Sequence, residues 1–292
     1  MSAEELDRRQ FLQLAGANAA ALALGPIGAT APGRSEKVGQ TQTDIELFDV
    51  QCGFGGMTPG DPKVVSVEEL VTEMARLRIG AALVHTAPED HENDAPAANE
   101  AINAACKSNP SLVRCPIVMP GNCGDLHDEK EQVAAHVKQG CGAVIVRPPV
   151  DYWTMARWAC DALFGALQER RVPVYCREGL VSLDQVGDLA GRYPSLPLII
   201  TKRHYRMLRM LLPLMKTFPN VYLAIGSDYT AHRGIEQFVD TVGAKRLLFG
   251  TGFPEAESMS AVTQLMYAEI SDEQKQLIGA GNLKRLISEI KR

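Results

Sequence analysis

The residues of this chain best able to do chemistry are cations that stand at the ends of apolar runs. Arg147 follows the run 143–146 and precedes Pro148 and Pro149, Arg177 closes Val174-Tyr175-Cys176, and Lys202, Arg203 and His204 follow the run 196–200. Glu178 and Asp228 stand close by in sequence as counter-charges. Cations that converge in a half-enclosed mouth attract an anion, and a planar guanidinium suits a carboxylate gripped at two points. The same charges support a second reading, an internal network in which Arg177 and Lys202 pair with Asp49, Glu178 or Asp228. If the site turns a substrate over, Lys202 or His85 is the expected base, with Asp228 as the third catalytic candidate. Gln51, Arg147, Arg177, Arg203 and His204 are the expected ligand contacts. No metal and no other cofactor is expected there, because two permanently or usually cationic groups repel a divalent ion.

Three further features have a plain structural reading beside the chemical one. His85, just past the run 81–84, is either an acid or base or a hydrogen-bonded structural histidine. Cys176 neighbours Arg177, which favours a thiolate. Strand alternation points it the other way, into the layer beneath the helices, as a core thiol. Asp90, His91, Glu92 and Asp94 form a charged loop that either carries a metal or is simply solvated.

The elements that must position these groups alternate eight times. Strand-length apolar runs are predicted at 45–50, 81–84, 112–118, 143–146, 173–175, 196–200, 221–225 and 246–249. Helical periods follow at 66–78, 95–107, 129–139, 154–170, 182–192, 205–217 and 231–242, and the chain closes with 258–269, 272–279 and 282–290. Val, Ile and Leu run almost without interruption through several of the strands, as parallel strands covered on both faces require. Eight such units close into a single (β/α)8 barrel of the TIM type over residues 44–292, in the α/β class. An open doubly wound sheet calls for a Gly-rich phosphate turn after its first strand, and Gly53-Phe54-Gly55-Gly56 lacks that spacing. With 46% hydrophobic residues a chain of 292 can bury a core of this size. A net charge of −5 without a basic cluster argues against a nucleic-acid surface.

The first 43 residues read differently. Arg8-Arg9-Gln10-Phe11-Leu12 precedes an Ala- and Leu-rich run, and Ala29-Thr30-Ala31 supplies small residues of the kind a signal peptidase cleaves after. Residues 1–31 resemble a twin-arginine export signal, although Asp7 and Gln13 depart from its usual residues. An N-terminal amphipathic helix capping the barrel is the alternative. Residues 32–43 are then a short linker, and the barrel is expected in the periplasm or outside the cell. The apolar run is too short to be a stable membrane span. Seven cysteines leave at least one unpaired, and most sit in apolar contexts where a thiol is a small core residue.

The sequence RLLFGTGFPE at 246–255 resembles the L-F-G-T-D-x-P signature on the last strand of the amidohydrolase-related family, in which the Asp is a metal ligand and proton acceptor. Gly252 occupies that position. Asp49-Val50-Gln51-Cys52-Gly53-Phe54-Gly55 resembles the family's D-x-H-x-H-x-G, with Gln51 and Gly53 at the two His positions. Arg177 stands at the His of P-V-x-x-H-x-G and Lys202 at the His of P-x-L-x-x-x-x-x-H. Gly281-Asn282-Leu283-Lys284-Arg285-Leu286 is similar to the closing G-N-A-x-R-L helix. The resemblance implies a TIM barrel of hydrolase-like ancestry, cleaving C–N, C–O or C–C bonds, in which all five matched ligand positions are replaced. The leading expectation is a metal-free cationic site for a small anionic organic compound. A catalytically inactive relative that binds a ligand or partner is the alternative, and a metallohydrolase using His85, His91, His204 or Asp228 is the third reading. The expected partner is a small anionic molecule, with a homo-oligomer compatible with the same sequence.

Overall fold

The structure is a computed structural model that describes residues 44–56, 64–86 and 94–292. The leader and linker expected at 1–43, and Asp90, His91 and Glu92 of the charged loop, lie outside the described residues. Eight parallel strands follow one another in chain order: β1 (Phe48–Gly56), β3 (Ala81–Thr86), β4 (Leu112–Arg114), β5 (Val144–Ile145), β6 (Val174–Arg177), β7 (Leu198–Thr201), β8 (Val221–Gly226) and β9 (Leu247–Gly250). Single bridges Arg114 to Cys141 and Ile117 to Ile145 join β4 to the β5 side, and Cys52 to Phe253 joins β1 to the chain leaving β9. The ring is therefore closed, as the eightfold alternation predicts. Every residue of β6, β7 and β9 is buried, because helices cover the outside of the ring and side chains fill its inside.

Helices α1 (Val67–Arg76), α2 (Ala95–Ser108), α3 (Glu129–Lys138), α4 (Arg157–Arg170), α5 (Leu183–Arg192), α6 (Leu208–Thr217) and α7 (Gly234–Val242) follow the first seven barrel strands. After β9 come α8 (Ser258–Tyr267), α9 (Asp272–Gln276) and α10 (Asn282–Ser288). Ser66 starts α1 through a reciprocal cap with Glu69, and Ser182 with Gln185 does the same for α5. Asp94, grouped with the charged loop in the sequence, caps α2 by accepting from Ala97 N at 2.7 Å. Among the described residues, no helix is long and apolar enough to cross a membrane.

Two strands differ from their sequence outlines by more than two residues at an end, for identifiable reasons. The strand predicted at 45–50 runs instead from Phe48 to Gly56, because tertiary pairing with β3 and Phe253 extends a Gly-rich stretch of weak intrinsic preference. It also pairs antiparallel with β2 (Val64–Val65), a two-residue strand too short to leave a periodic signal. The run 112–118 contributes a ladder only to Arg114; Pro116 has no N–H to donate, and Ile117 rejoins as a lone bridge.

All seven cysteines are free, and five of them are buried. Burial pushes the Cys176 thiol up to about 12, so it is a core thiol and not a nucleophile. At the chain's end Asn282, fully buried, donates its amide to Ala244 O and Leu247 O, both at 2.8 Å, and so ties α10 to the entrance of β9. Asn282→Ala removes the donor of both buried carbonyls. It is expected to lower stability by about 2–3 kcal/mol, read as a fall in Tm, without altering the far-UV spectrum.

Candidate functional site

The site begins at the seam between the first strand and the last. Asp49, buried in β1, accepts hydrogen bonds from Gln51 N at 2.9 Å, Thr251 N at 3.0 Å and Thr251 Oγ1 at 2.5 Å. Gly252 N donates to Gln51 O at 2.7 Å and Gly53 N to Phe253 O at 3.1 Å. Burial raises the Asp49 pKa above its ordinary value, and the bonds from Thr251 and Gln51 offset only part of that rise. This seam sets Gln51 beside Gly252. The Gln51 side chain then bridges two neighbours, donating from Nε2 to Asp228 and accepting at Oε1 from Lys202 N at 3.2 Å.

The cations singled out by sequence meet on an acid that sequence reasoning missed. Arg177 Nη2 lies 2.5 Å from Glu255 Oε1, and Lys202 Nζ pairs with Glu255 Oε2. The Arg177 side chain is 3% exposed, that of Glu255 16% and that of Lys202 34%, so of the three only the Lys202 side chain has substantial access to water. Burial pushes the Glu255 pKa up, but Arg177 and Lys202 together pull it below the ordinary carboxylate range. Of the counter-charges proposed from the sequence, Asp49 is taken up by Thr251 and Asp228 by Gln51. The available signal was the Pro254 turn, three residues past Thr251, which carries Glu255 back over the mouth. Lys202 adopts a left-handed backbone with φ of 53°, uncommon for a residue with a Cβ. That conformation breaks strand alternation and separates Lys202 from Arg203.

His85 is the last residue but one of β3 and is 2% exposed. Its Nδ1 lies 2.7 Å from Thr86 O, so Nδ1 carries the proton, and its ring packs 5.2 Å from that of Tyr175. Burial, with Arg177 acting in the same direction, pushes the His85 pKa down to about 4. The imidazole is therefore neutral near pH 7 and a weak base. It also fills the space beside Gly53: a Cβ there would stand 2.8 Å from His85 O and 3.1 Å from the ring. At Gly252, where φ is 78°, a Cβ would meet Ala256 Cβ at 3.1 Å, Asp228 Oδ2 at 3.2 Å and Gln51 Nε2 at 3.4 Å.

The remaining candidates have other partners. Arg147, fully buried, is held by Asp151 through Nε at 3.1 Å and Nη2 at 2.6 Å. His204 is exposed; its Nδ1 accepts from Arg206 N at 3.3 Å, capping the 3₁₀ turn Tyr205–Met207. Arg203 is buried and donates to Val181 O at 2.7 Å, outside the Glu255 cluster. The structure thus brings together Gln51, Arg177, Lys202 and Asp228, sets His85 beside Gly53, and commits Arg147 to Asp151, Arg203 to Val181 O and His204 to a turn cap. Among the described residues, no group of three or more His, Cys, Asp or Glu side chains is arranged to hold a metal ion.

The profile of the amidohydrolase family matches residues 54–287. Among solved structures, an uncharacterised TIM-barrel protein from Bordetella bronchiseptica is similar at a TM-score of 0.66 and 16% identity, covering 85% of this chain and 100% of that one. 2,6-Dihydroxybenzoate decarboxylase from Rhizobium follows at 0.65 and 13%, covering 84% and 99%. 5-Carboxyvanillate decarboxylase from Novosphingobium aromaticivorans, complexed with manganese and a nitrobenzoic acid, is similar at 0.63 and 13%, covering 84% and 96%. No curated protein matches the chain. At these identities the structural likeness establishes the barrel fold.

The depressed His85 pKa has a measurable consequence. Between about 4 and the ordinary 6.5 the unfolded chain binds the proton more readily, so this contribution to stability is complete above pH 6.5 and is lost as pH falls toward 4. Its size is at most on the order of 3 kcal/mol. His136, pushed down to about 4 by burial, acts in the same direction. His85→Gln is expected to flatten, without abolishing, the fall of Tm over that range, and the wild-type His85 ring resonances should show no titration midpoint above pH 5.

Proposed function

Since the chain belongs to the amidohydrolase family, we propose that its barrel mouth is a metal-independent receptor for a small organic carboxylate, formed by Arg177, Lys202 and Gln51. One observation carries this reading: Arg177 and Lys202 already hold a carboxylate, that of Glu255, between them. The pair therefore has the spacing and orientation to grip a ligand carboxylate, which would take the place of Glu255 or share the exposed side of Lys202. The residues present do not fit a divalent ion. The matched ligand positions carry Gln51, Gly53, Arg177, Lys202 and Gly252, and the space beside the two glycines is filled by His85 and by Asp228 with Gln51. Two of the similar structures are named as decarboxylases of substituted benzoates, which makes aromatic acids the first ligands to try.

The chemistry of the mouth favours binding without turnover. The Lys202 ammonium is engaged by Glu255, and His85 is neutral with Nδ1 committed to Thr86 O. With a pKa pushed down to about 4, His85 is a poor proton acceptor at neutral pH, and Lys202 Nζ is occupied by the Glu255 carboxylate. The Arg8-Arg9 leader would deliver the barrel, already folded, to the periplasm or beyond; that part of the proposal rests on the sequence.

Thermal unfolding in the presence of 2,6-dihydroxybenzoate tests the reading. A ligand at about 100 times its Kd is expected to raise Tm by on the order of 5 °C. The shift should be the same in EDTA and in added manganese, vanish in the Arg177→Met, Lys202→Met double variant, and grow in Glu255→Gln. A shift that requires manganese, or one that survives the double variant, refutes the proposal.

A further inference from the structure

A cavity lies beside the barrel ring, between the segments that follow β5, β6 and β7. It encloses about 580 Å³, within the range of roughly 300–1,000 Å³ typical of small-molecule sites. Its walls are largely apolar, with Trp153, Met155, Leu180, Met207 and Met210 among them. Set into these walls is Arg203, which is 2% exposed. Among the described residues Arg203 makes one hydrogen bond, from Nη2 to Val181 O, and its Nε–H has no acceptor. The Trp153 Nε1–H is likewise buried without an acceptor. A guanidinium withdrawn from water with unused donors is costly to maintain unless something accepts from it.

The surrounding charges narrow what that acceptor is. The N-terminal residues of α5 line the same cavity and add the positive end of a helix dipole. Glu178, half-buried in the lining, acts on Arg203 through space without forming an ion pair with it, and Asp184 stands exposed at the rim. These acids oppose a dianion, while the single cation and the apolar walls suit a monoanion with an apolar body. We propose that this cavity binds an amphipathic organic monocarboxylate, with its carboxylate on Arg203 and its hydrocarbon portion against Met155, Leu180, Met207 and Met210.

Calorimetric titration of the full chain with octanoate and with octanamide tests this site. Octanoate should bind at least about tenfold more tightly than the neutral amide, and Arg203→Met should erase that preference. Met210 is 50% exposed, so Met210→Trp can narrow the cavity without disturbing the core, and it should weaken both probes. A chain carrying Arg177→Met and Lys202→Met should retain octanoate binding, which separates this site from the barrel mouth. Equal binding of acid and amide, unchanged octanoate affinity in Arg203→Met, or loss of octanoate binding in the mouth double variant would each overturn the assignment. Should Arg203→Met fail to fold, the acid-to-amide ratio and Met210→Trp still decide the question.

Discussion

The buried carboxylate of Asp49 is the constraint on which the rest of this barrel depends. It takes three hydrogen bonds, two of them from Thr251 at the far end of the chain, and so joins the first strand to the last. A carboxylate this deep is tolerable only when its oxygens are satisfied, because an unpaired buried charge is far more costly than a neutral polar group. Its bonds therefore select one register between β1 and the segment after β9. In that register Gly252 lies against Gln51, and every contact at the mouth follows.

The mouth behaves as one mutually compensated unit. Gln51 reaches both Asp228 and the backbone of Lys202, while Glu255 reaches both Arg177 and Lys202. The space a Cβ would need at Gly53 is taken by His85, and the space at Gly252 is taken by Ala256, Asp228 and Gln51. Close packing makes such replacements interdependent: a side chain restored at either glycine would meet a neighbour that now has its own partner.

Adjacent residues serve different places because of one backbone conformation. Lys202, with φ of 53°, turns its ammonium to Glu255 over the barrel, and Arg203 is directed outward to Val181 and the lateral cavity. Such a conformation costs of order 1 kcal/mol for a residue with a Cβ. The Gln51 bond to Lys202 N and the Glu255 pair help hold it. The three basic residues after β7's apolar run, alike in a linear reading, thus become a mouth residue, a cavity residue and an exposed turn cap.

The sequence by itself determined the barrel. The eightfold alternation of apolar strands and helical periods, the burial of Cys176 and the family signature around residues 246–255 all depend on local periodicity and short-range chemistry, which a linear reading captures. Tertiary structure alone decided the partners. Glu255 answers Arg177 from 78 residues away, Asp228 meets Gln51 across 177, and Arg203 faces away from Lys202. Those outcomes depend on the closed register of the ring and on a left-handed turn at one lysine, neither of which leaves a periodic trace in the order of the residues.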